Sequence, residues 1–320
     1  MSADRSQSIG FQPPSALPHL KQAARWSNPC GLTTPATSAS YRDKRLCEDM
    51  MAYPIDRRSV LAGAAAGGVT LASTGARAQR RAAAVTPEVY ELRTYRLVHG
   101  GMKARLDAYL RDAFIPAARR VGCGPIGAFT VAIGPGSPSV HVLVPYPSIA
   151  DFVELPGKLA DDQGYAKAAE PFADATPEGP PYASLDVKLM RAFPHFPRVE
   201  VPAAAGANKP RIFELRTYFS HSDKAGATKI EMFDTGGEIE IFRRNGLTPV
   251  FFAQDLTGSR LPSLTYLLTF PDFAARERSW SSFGADPAWR RLITTPGLTD
   301  PEITTGIDNQ ILSPTPYSQI

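Results

Sequence analysis

The chain has 320 residues, of which 43% are hydrophobic and 21% are charged. This composition is typical of globular proteins and excludes a fibrous or fully disordered chain. The formal charge is only +4 and there is no block of Lys and Arg, so we expect no nucleic-acid partner.

Residues 1–50 are polar and contain repeated prolines, without a sustained helical or strand period. We expect this segment to be disordered or not translated. Met50 and Met51 stand just ahead of the arginine pair at 57–58. If translation starts at Met51, this pair lies close to the amino terminus, where export signals are found.

Residues 51–78 have the layout of an export signal. Arg57 and Arg58 precede a run rich in Ala and Gly, which ends in a small-residue pattern at Ala78. The pattern resembles bacterial twin-arginine signals and predicts cleavage after Ala78, giving a periplasmic or secreted protein with no stable membrane anchor after processing. A transmembrane anchor is the alternative, but the apolar run is shorter than the roughly 20 residues that a bilayer core requires. Residues 79–87 then form a linker.

The rest of the chain contains an internal repeat. The sequence Tyr-Glu-Leu-Arg-Thr-Tyr at 90–95 recurs as Phe-Glu-Leu-Arg-Thr-Tyr at 213–218, an offset of 216 − 93 = 123 residues. The match Arg-Arg-x-Gly at 119–122 and 243–246 follows at an offset of 243 − 119 = 124. A period of this length indicates two duplicated domains rather than a solenoid.

Each copy alternates between strand and helix periods. In the first copy, residues 88–192, the predicted elements are a strand at 88–97, a helix that ends at Gly122, strands at 127–133 and 139–146, a helix from about Ser148, and a closing strand at 185–190. In the second copy, residues 211–313, they are a strand at 211–219, a helix near 225–245, strands at 248–255 and 263–270, a helix at 272–283 and a closing strand at 305–312. The order β-α-β-β-α-β predicts an α+β fold made of two tandem ferredoxin-like units.

A four-stranded sheet with both helices on one face has to bury its other face. Two such sheets can cover each other, which is the dimeric α/β barrel arrangement. The sequence leaves open whether one chain closes the barrel or each copy pairs with another subunit, and we expect a homo-oligomer. Residues 193–210 are the linker between the copies, and 314–320 are a tail.

Several motifs of the second copy carry a family resemblance. They are Glu-Leu-Arg-Thr-Tyr at 214–218, Gly-Gly-Glu-Ile at 236–239, Ile-Phe-Arg-Arg at 241–244 and Asp-Pro-Ala-Trp at 286–289. The second copy resembles the NIPSNAP family over about residues 211–295, and the first copy is a looser match. The resemblance implies a dimeric α/β barrel fold, but little agreement on which reaction or ligand the family serves.

Strand periodicity groups three polar residues on one face of the first strand of each copy. They are the ligand-binding candidates Glu91, Arg93, Tyr95, Glu214, Arg216 and Tyr218. If this face lines the barrel interior, the arginine could hold an anionic group in two-pronged fashion beside the tyrosine hydroxyl. The alternative is that each Glu and Arg form a structural ion pair.

Other conspicuous side chains have structural explanations. Arg243 and Arg244 are at a predicted helix C-terminus, where the helix dipole favours positive charge, and Trp289 is expected in the core. Cys123, the cysteine left after processing, is expected to be a small buried thiol. Three histidines without partner ligands in the sequence are expected at the surface or in turns: His99, His141 and His221.

The motif survey favours binding over catalysis. The sequence contains no Walker loop, hydrolase nucleophile elbow or zinc-protease motif, and its cysteines lack metal-ligand spacing, so we expect no metal and no cofactor. The first helix of each copy has no histidine, which argues against haem. The leading hypothesis is an envelope protein that binds a small anionic or apolar ligand in the barrel cleft. The alternatives are a cofactor-poor enzyme, monooxygenase- or dehydratase-like, as the wider barrel group implies, and a pure assembly module.

Replacing Arg57 and Arg58 together by Lys should hold the precursor inside the cell, because the export machinery recognises the arginine pair. In the parent, amino-terminal sequencing of the exported protein should give Gln79 as the first residue. Unchanged export of the double variant would contradict the twin-arginine assignment. Peptides from 1–49 in the unprocessed precursor would contradict a start at Met51.

Overall fold

The computed structural model describes residues 85–207 and 209–320. The predictions for residues 1–50 and for the export signal at 51–78 lie outside this part of the chain. Within it, every helix is too short or too polar to cross a membrane.

The first copy has the predicted strands, but two helices lie between its third and fourth strands, where one was predicted. Its elements are β1 (Val89–Arg96), α1 (Met102–Ala108), α2 (Ile115–Arg120), β2 (Gly127–Ile133), β3 (Ser139–Tyr146), α3 (Ile149–Ala160), α4 (Gln163–Ala173) and β4 (Ser184–Ala192). A π-helical turn, Tyr109–Phe114, joins α1 to α2 in one continuous helix. This helix gives way to a turn at Gly122, whose φ of 91° is readily adopted by glycine.

The linker holds one short helix, and the second copy repeats the order of the first with one extra short helix before its last strand. These elements are α5 (Ala203–Gly206) in the linker, then β5 (Ile212–Phe219), α6 (Asp223–Asp234), α7 (Glu238–Arg244), β6 (Thr248–Asp255), β7 (Ser263–Phe270), α8 (Phe273–Ala285), α9 (Pro287–Ile293), α10 (Asp300–Ile303) and β8 (Gly306–Pro314).

The prediction of one helix near 225–245 was wrong, because two adjacent glycines divide it into α6 and α7. Gly237 has a φ of 91°, in the left-handed region that ends a helical path. A Cβ atom on Gly236 would lie 2.6 Å from the Met232 carbonyl oxygen, so only glycine fits this close turn.

Polar side chains begin several helices by accepting backbone hydrogen bonds. Ser148 accepts from the amide of Asp151 at the start of α3, and Asp272 accepts from the amide of Ala275 at the start of α8. These two caps are 272 − 148 = 124 residues apart, so α3 and α8 are equivalent helices of the two copies.

The eight strands form a closed barrel in the order β1-β3-β2-β8-β5-β7-β6-β4, with β4 pairing back to β1. All pairs are antiparallel, and each copy contributes a four-stranded ferredoxin-like sheet. Two seams join the sheets: β2 with β8, and β4 with β6, where Arg191 pairs with Gln254. One chain therefore closes the barrel by itself, and closure needs no second subunit.

Strand alternation gives the protein two kinds of core. Outward side chains pack under the helices of each copy, and inward side chains such as Tyr90, Phe129 and Phe213 fill one end of the barrel. The tail at 314–320 completes this end, because Ile320 is fully buried among the inward side chains. Gln319 also accepts a hydrogen bond from the amide of Ile126 at 2.8 Å.

Candidate functional site

The other end of the barrel interior holds a cavity of about 650 Å³. Leu92 and Leu215 belong to both the cavity lining and the apolar cluster, so they separate the cavity from the filled end. The polar side chains that line it come from five strands and from the loop before β7, and they are Thr94, Arg96, Ser139, His141, Asp186, Lys188, Thr217, Ser259, Asp308 and Gln310. Both copies contribute to this wall.

His141 is a hydrogen-bonded part of the cavity wall. Its Nδ1 lies 2.9 Å from Thr94 Oγ1 and its Nε2 lies 2.8 Å from Gln310 Oε1. The Gln310 amide nitrogen donates to the Pro135 carbonyl, which leaves Oε1 to accept from the imidazole. Nε2–H therefore donates to Gln310 and Nδ1 accepts from Thr94, so both ring nitrogens are engaged.

The expectation that His141 lies at the surface was wrong, because only 5% of it is exposed. All eight residues of β3 are buried, as its two faces pack against two different cores. His99 and His221 are exposed, as predicted.

Across the cavity, Lys188 forms the centre of a second polar group. Its Nζ lies 3.0 Å from Asp255 Oδ2 and 3.3 Å from Thr265 Oγ1. Asp255 is buried and also accepts from Ser263 at 2.6 Å. Thr265 lies 2.9 Å from Thr217 Oγ1, so the Thr217–Thr265 pair repeats the Thr94–His141 pair of the first copy.

Ion pairs surround the mouth of the cavity. Arg96 donates to Asp186 at 2.9 Å, and Arg260 is paired with Asp308. Together with the pair of Lys188 and Asp255, these contacts match every charged residue of the lining with an opposite charge. The cavity is therefore polar but carries no unpaired charge.

The six ligand-binding candidates lie on the opposite face of the barrel wall. Their neighbours Leu92, Thr94, Leu215 and Thr217 point inward, so alternation directs the candidates outward, between the sheets and the helices. The condition that this polar face lines the barrel interior is not met. A ligand-binding role for these residues stays a prediction.

In the second copy this outward group is an ion-pair network centred on Glu214. The buried Glu214 accepts two hydrogen bonds from Arg276, at 2.8 and 2.7 Å, and one each from Trp280 and Asn309 at 2.7 Å. Arg216 donates to Glu214 at 3.0 Å and to the Tyr218 hydroxyl at 3.1 Å. Burial raises the pKa of Glu214, but these donors outweigh burial, so its pKa lies below the usual value.

The first copy has a simpler version of the same group. Glu91 accepts from Arg93 Nε at 2.8 Å and from the Tyr146 hydroxyl at 2.6 Å. The guanidinium of Arg93 lies 4.3 Å from the centre of the Phe114 ring. In both copies the arginine is thus paired with the glutamate two residues before it.

The other named residues hold the helices of the second copy. Arg243 and Arg244 form the last turn of α7; Arg243 donates to Glu200 at 2.7 Å, and Arg244 makes two bonds of 2.8 Å to Asp286. The bonds from Arg244 hold the pKa of Asp286 below its usual value. Trp289 packs with its ring centre 4.3 Å from that of Phe283.

Lys229 and Glu238 form a buried pair that the sequence pattern did not reveal. The Lys229 Nζ lies 3.6 Å from a carboxylate oxygen of Glu238 and 3.6 Å from one of Asp300. The same Nζ lies within 6 Å of the Phe233 and Trp289 ring centres. Burial raises the pKa of Glu238 to about 7. The two residues come from different helices, α6 and α7, so no spacing within one helix could have indicated the pair.

One prediction about a reactive group can be compared with the structure. Cys123 is buried as expected, and burial raises the pKa of its thiol to about 11. Among residues 85–207 and 209–320, no three His, Cys, Asp or Glu side chains cluster as a metal site would require.

The NIPSNAP family model matches residues 90–176 and 213–319, one segment in each copy. The chain belongs to the NIPSNAP family. No curated protein matched it.

Several solved structures are similar to this NIPSNAP protein. A NIPSNAP-like domain protein from Burkholderia xenovorans is 21% identical and covers 34% of this chain and 88% of its own, with a TM-score of 0.30. A NIPSNAP family protein from Agrobacterium tumefaciens is 19% identical and covers 34% and 94%, with a TM-score of 0.30. A candidate monooxygenase from Lactobacillus acidophilus is 5% identical and covers 71% and 94%, with a TM-score of 0.49. Likeness at this level carries no information about function.

The burial of His141 should make stability depend on pH. Desolvation in the cavity wall lowers its pKa from 6.5 to about 4, so the folded protein keeps the imidazole neutral while the unfolded chain binds a proton below about pH 6.5. The free energy of unfolding should therefore fall by about 3 kcal/mol between pH 6.5 and 4, at roughly 1.36 kcal/mol per pKa unit. Urea denaturation of the parent and of His141→Gln across this range measures the difference.

The difference between parent and variant isolates His141 from Glu238, whose raised pKa gives the opposite slope, with stability lost as the pH rises towards 7. His221→Gln is the matched control, since His221 is exposed and should keep the parental pH dependence. Equal slopes in the parent and in His141→Gln would contradict the burial effect.

Proposed function

We propose that this NIPSNAP protein is exported and binds a small, polar, uncharged molecule in the barrel cavity. The observation that carries the proposal is a cavity of about 650 Å³ lined by hydrogen-bonding side chains with fully matched charges. Its volume is within the usual range of small-molecule sites, roughly 300–1,000 Å³.

The matched charges favour an uncharged guest. An anion near Lys188 would compete with the buried Asp255, which already holds the ammonium group at 3.0 Å. Breaking that pair would leave a buried carboxylate without its partner, which is strongly unfavourable. A hydroxyl- or carbonyl-bearing molecule can instead exchange hydrogen bonds with Thr94, Thr217 and Gln310 without separating any charges. This proposal replaces the anionic or apolar ligand expected from the sequence with a polar, uncharged one.

The occupied donors and acceptors favour binding over catalysis. A general base needs a free lone pair within reach of the substrate. Both nitrogens of His141 are engaged, and Lys188 is held as an ion pair. The cofactor-poor enzyme remains the alternative, and chemical change of the bound molecule distinguishes it from a binder.

Localisation and assembly complete the proposal. Export rests on the sequence signal at 51–78, which predicts that the mature protein is in the periplasm or outside the cell. A homo-oligomer is an independent proposal, since the barrel closes within one chain.

Native mass spectrometry of the protein purified from the periplasm tests the binding function. Compared with its mass under denaturing conditions, the parent should carry one extra small molecule, and Gln310→Leu should lose it because a cavity-wall amide is removed. Gln254→Leu is the matched control, as Gln254 lies on the outward face of β6 and contacts Arg191 at 3.3 Å. That variant should retain the molecule.

A parent without added mass, or equal retention in Gln310→Leu, would contradict ligand binding in the barrel. The released molecule should also have the same mass after incubation with fresh protein. A changed mass would instead support the enzyme alternative.

A further inference from the structure

We propose that the first copy contains a second binding site, between its sheet and its helices, for a small aromatic molecule with an uncharged carbonyl oxygen. This site is a pocket of about 300 Å³ beside Arg93. It lies on the outward face of β1, whereas the barrel cavity lies on the inward face, so the two sites are separate. The proposal does not depend on the function of the barrel cavity.

The walls of the pocket are mainly aromatic and apolar. Its main lining residues are Arg93, Tyr109, Phe114, Leu155, Pro156 and Tyr165. Tyr109 stacks on Phe172 with a ring separation of 3.9 Å, and its hydroxyl lies 3.0 Å from that of Tyr165. These contacts hold the tyrosine rings in place, and rigid aromatic walls suit a flat aromatic guest.

The backbone of one wall has an uncommon form. Tyr109 and Phe114 are the first and last residues of the π-helical turn between α1 and α2. A π-helical turn inside an α-helix is rare and is often found at functional sites. Here it places both rings against the same pocket.

Arg93 supplies donors that the protein does not use. Its Nε binds Glu91, and the Tyr95 hydroxyl can take one of the four Nη N–H groups, so at least three have no acceptor within the described segments. The Arg93 side chain is 16% exposed, and it lines the pocket. An acceptor oxygen in the pocket can therefore bind an Nη group.

The local charge favours an uncharged acceptor. Glu91 already balances Arg93, and the pocket lining contains no second cation. A carboxylate guest would add a partly buried negative charge beside Glu91 without a matching positive charge, which is costly. A carbonyl oxygen accepts the same hydrogen bond without this cost.

In the second copy, side chains from the equivalent helix occupy the space beside the arginine. Trp280 corresponds to Pro156, and Arg276 corresponds to Phe152, since 280 − 156 and 276 − 152 both equal 124. Trp280 covers Arg216 at 4.8 Å, and both Trp280 and Arg276 bind Glu214. In the first copy the equivalent helix position is Pro156, which places no aromatic ring over Arg93. The space beside Arg93 therefore stays open as the pocket.

Calorimetric titration with benzamide tests this site, because benzamide combines one aromatic ring with a neutral carbonyl. The parent should bind it saturably with one molecule per chain. Pro156→Trp should weaken binding about tenfold or more by placing the tryptophan of the second copy in the pocket, and Arg93→Met should weaken it about tenfold by removing the donor. Circular dichroism melting curves establish that both variants are folded.

Matched controls locate the binding. Val153→Trp adds the same ring to the same helix at a residue that is 68% exposed, and its affinity should stay within about twofold of the parent. Gln310→Leu, which alters the barrel cavity, should also leave benzamide binding unchanged. Benzoate, which adds a charge, and acetamide, which lacks the ring, should each bind about tenfold more weakly than benzamide.

Three results would overturn the proposal. The first is the absence of saturable benzamide binding by the parent. The second is a benzamide affinity equal to that of the parent in folded Pro156→Trp and Arg93→Met, or a loss of benzamide binding in Gln310→Leu. The third is tighter binding of benzoate than of benzamide, which would show that the site takes an anion.

Discussion

The uncovered face of a ferredoxin-like sheet is the constraint on which the whole molecule depends. Each copy packs its helices against one side of its four strands, and the other side must be buried against something else. The second copy supplies that cover through the seams between β2 and β8 and between β4 and β6. The barrel interior, with its filled end and its polar cavity, is a consequence of this closure.

The cavity wall shows how closely the two copies depend on each other. Gln310 of the second copy binds His141 of the first, and Lys188 of the first copy binds Asp255 of the second. Neither polar group would be complete within a single copy. Duplication in one chain fixes which residues meet at each seam, so the two sides of the cavity can differ in sequence.

The same duplication has produced two outcomes on the outward faces. Both copies keep a Glu-x-Arg-x-Tyr strand, and both pair the arginine with the glutamate. In the second copy, Arg276 and Trp280 complete a buried network around Glu214. In the first copy Glu91 has fewer partners, and open volume remains beside Arg93. A motif that is nearly identical in sequence therefore has different surroundings in the two copies.

Local patterns predicted the elements well, because strand and helix periods and turn residues act over short distances. The runs predicted at 127–133, 139–146, 248–255 and 263–270 coincide with β2, β3, β6 and β7. The face that each strand turns inward could not be predicted, because both faces of β1 and β5 are buried and each carries polar residues.

Long-range contacts explain the remaining differences between prediction and structure. His141 was expected at the surface, yet its partner Gln310 lies 169 residues away in sequence. Lys229 and Glu238 meet only because Gly236 and Gly237 turn the chain between α6 and α7. Such pairs depend on the closed fold, and no local spacing encodes them.

Closure of the barrel within one chain is the central claim, and cross-linking across a seam tests it most directly. Arg191 and Gln254 face each other on the outward side of β4 and β6, and paired residues of antiparallel strands have Cβ atoms about 5 Å apart. Mild oxidation of Arg191→Cys/Gln254→Cys should give a disulfide within one chain, detected as a monomer on a non-reducing gel and as one linked peptide pair by mass spectrometry. Covalent dimers joined through these two positions would show that the seam forms between chains and would contradict the account.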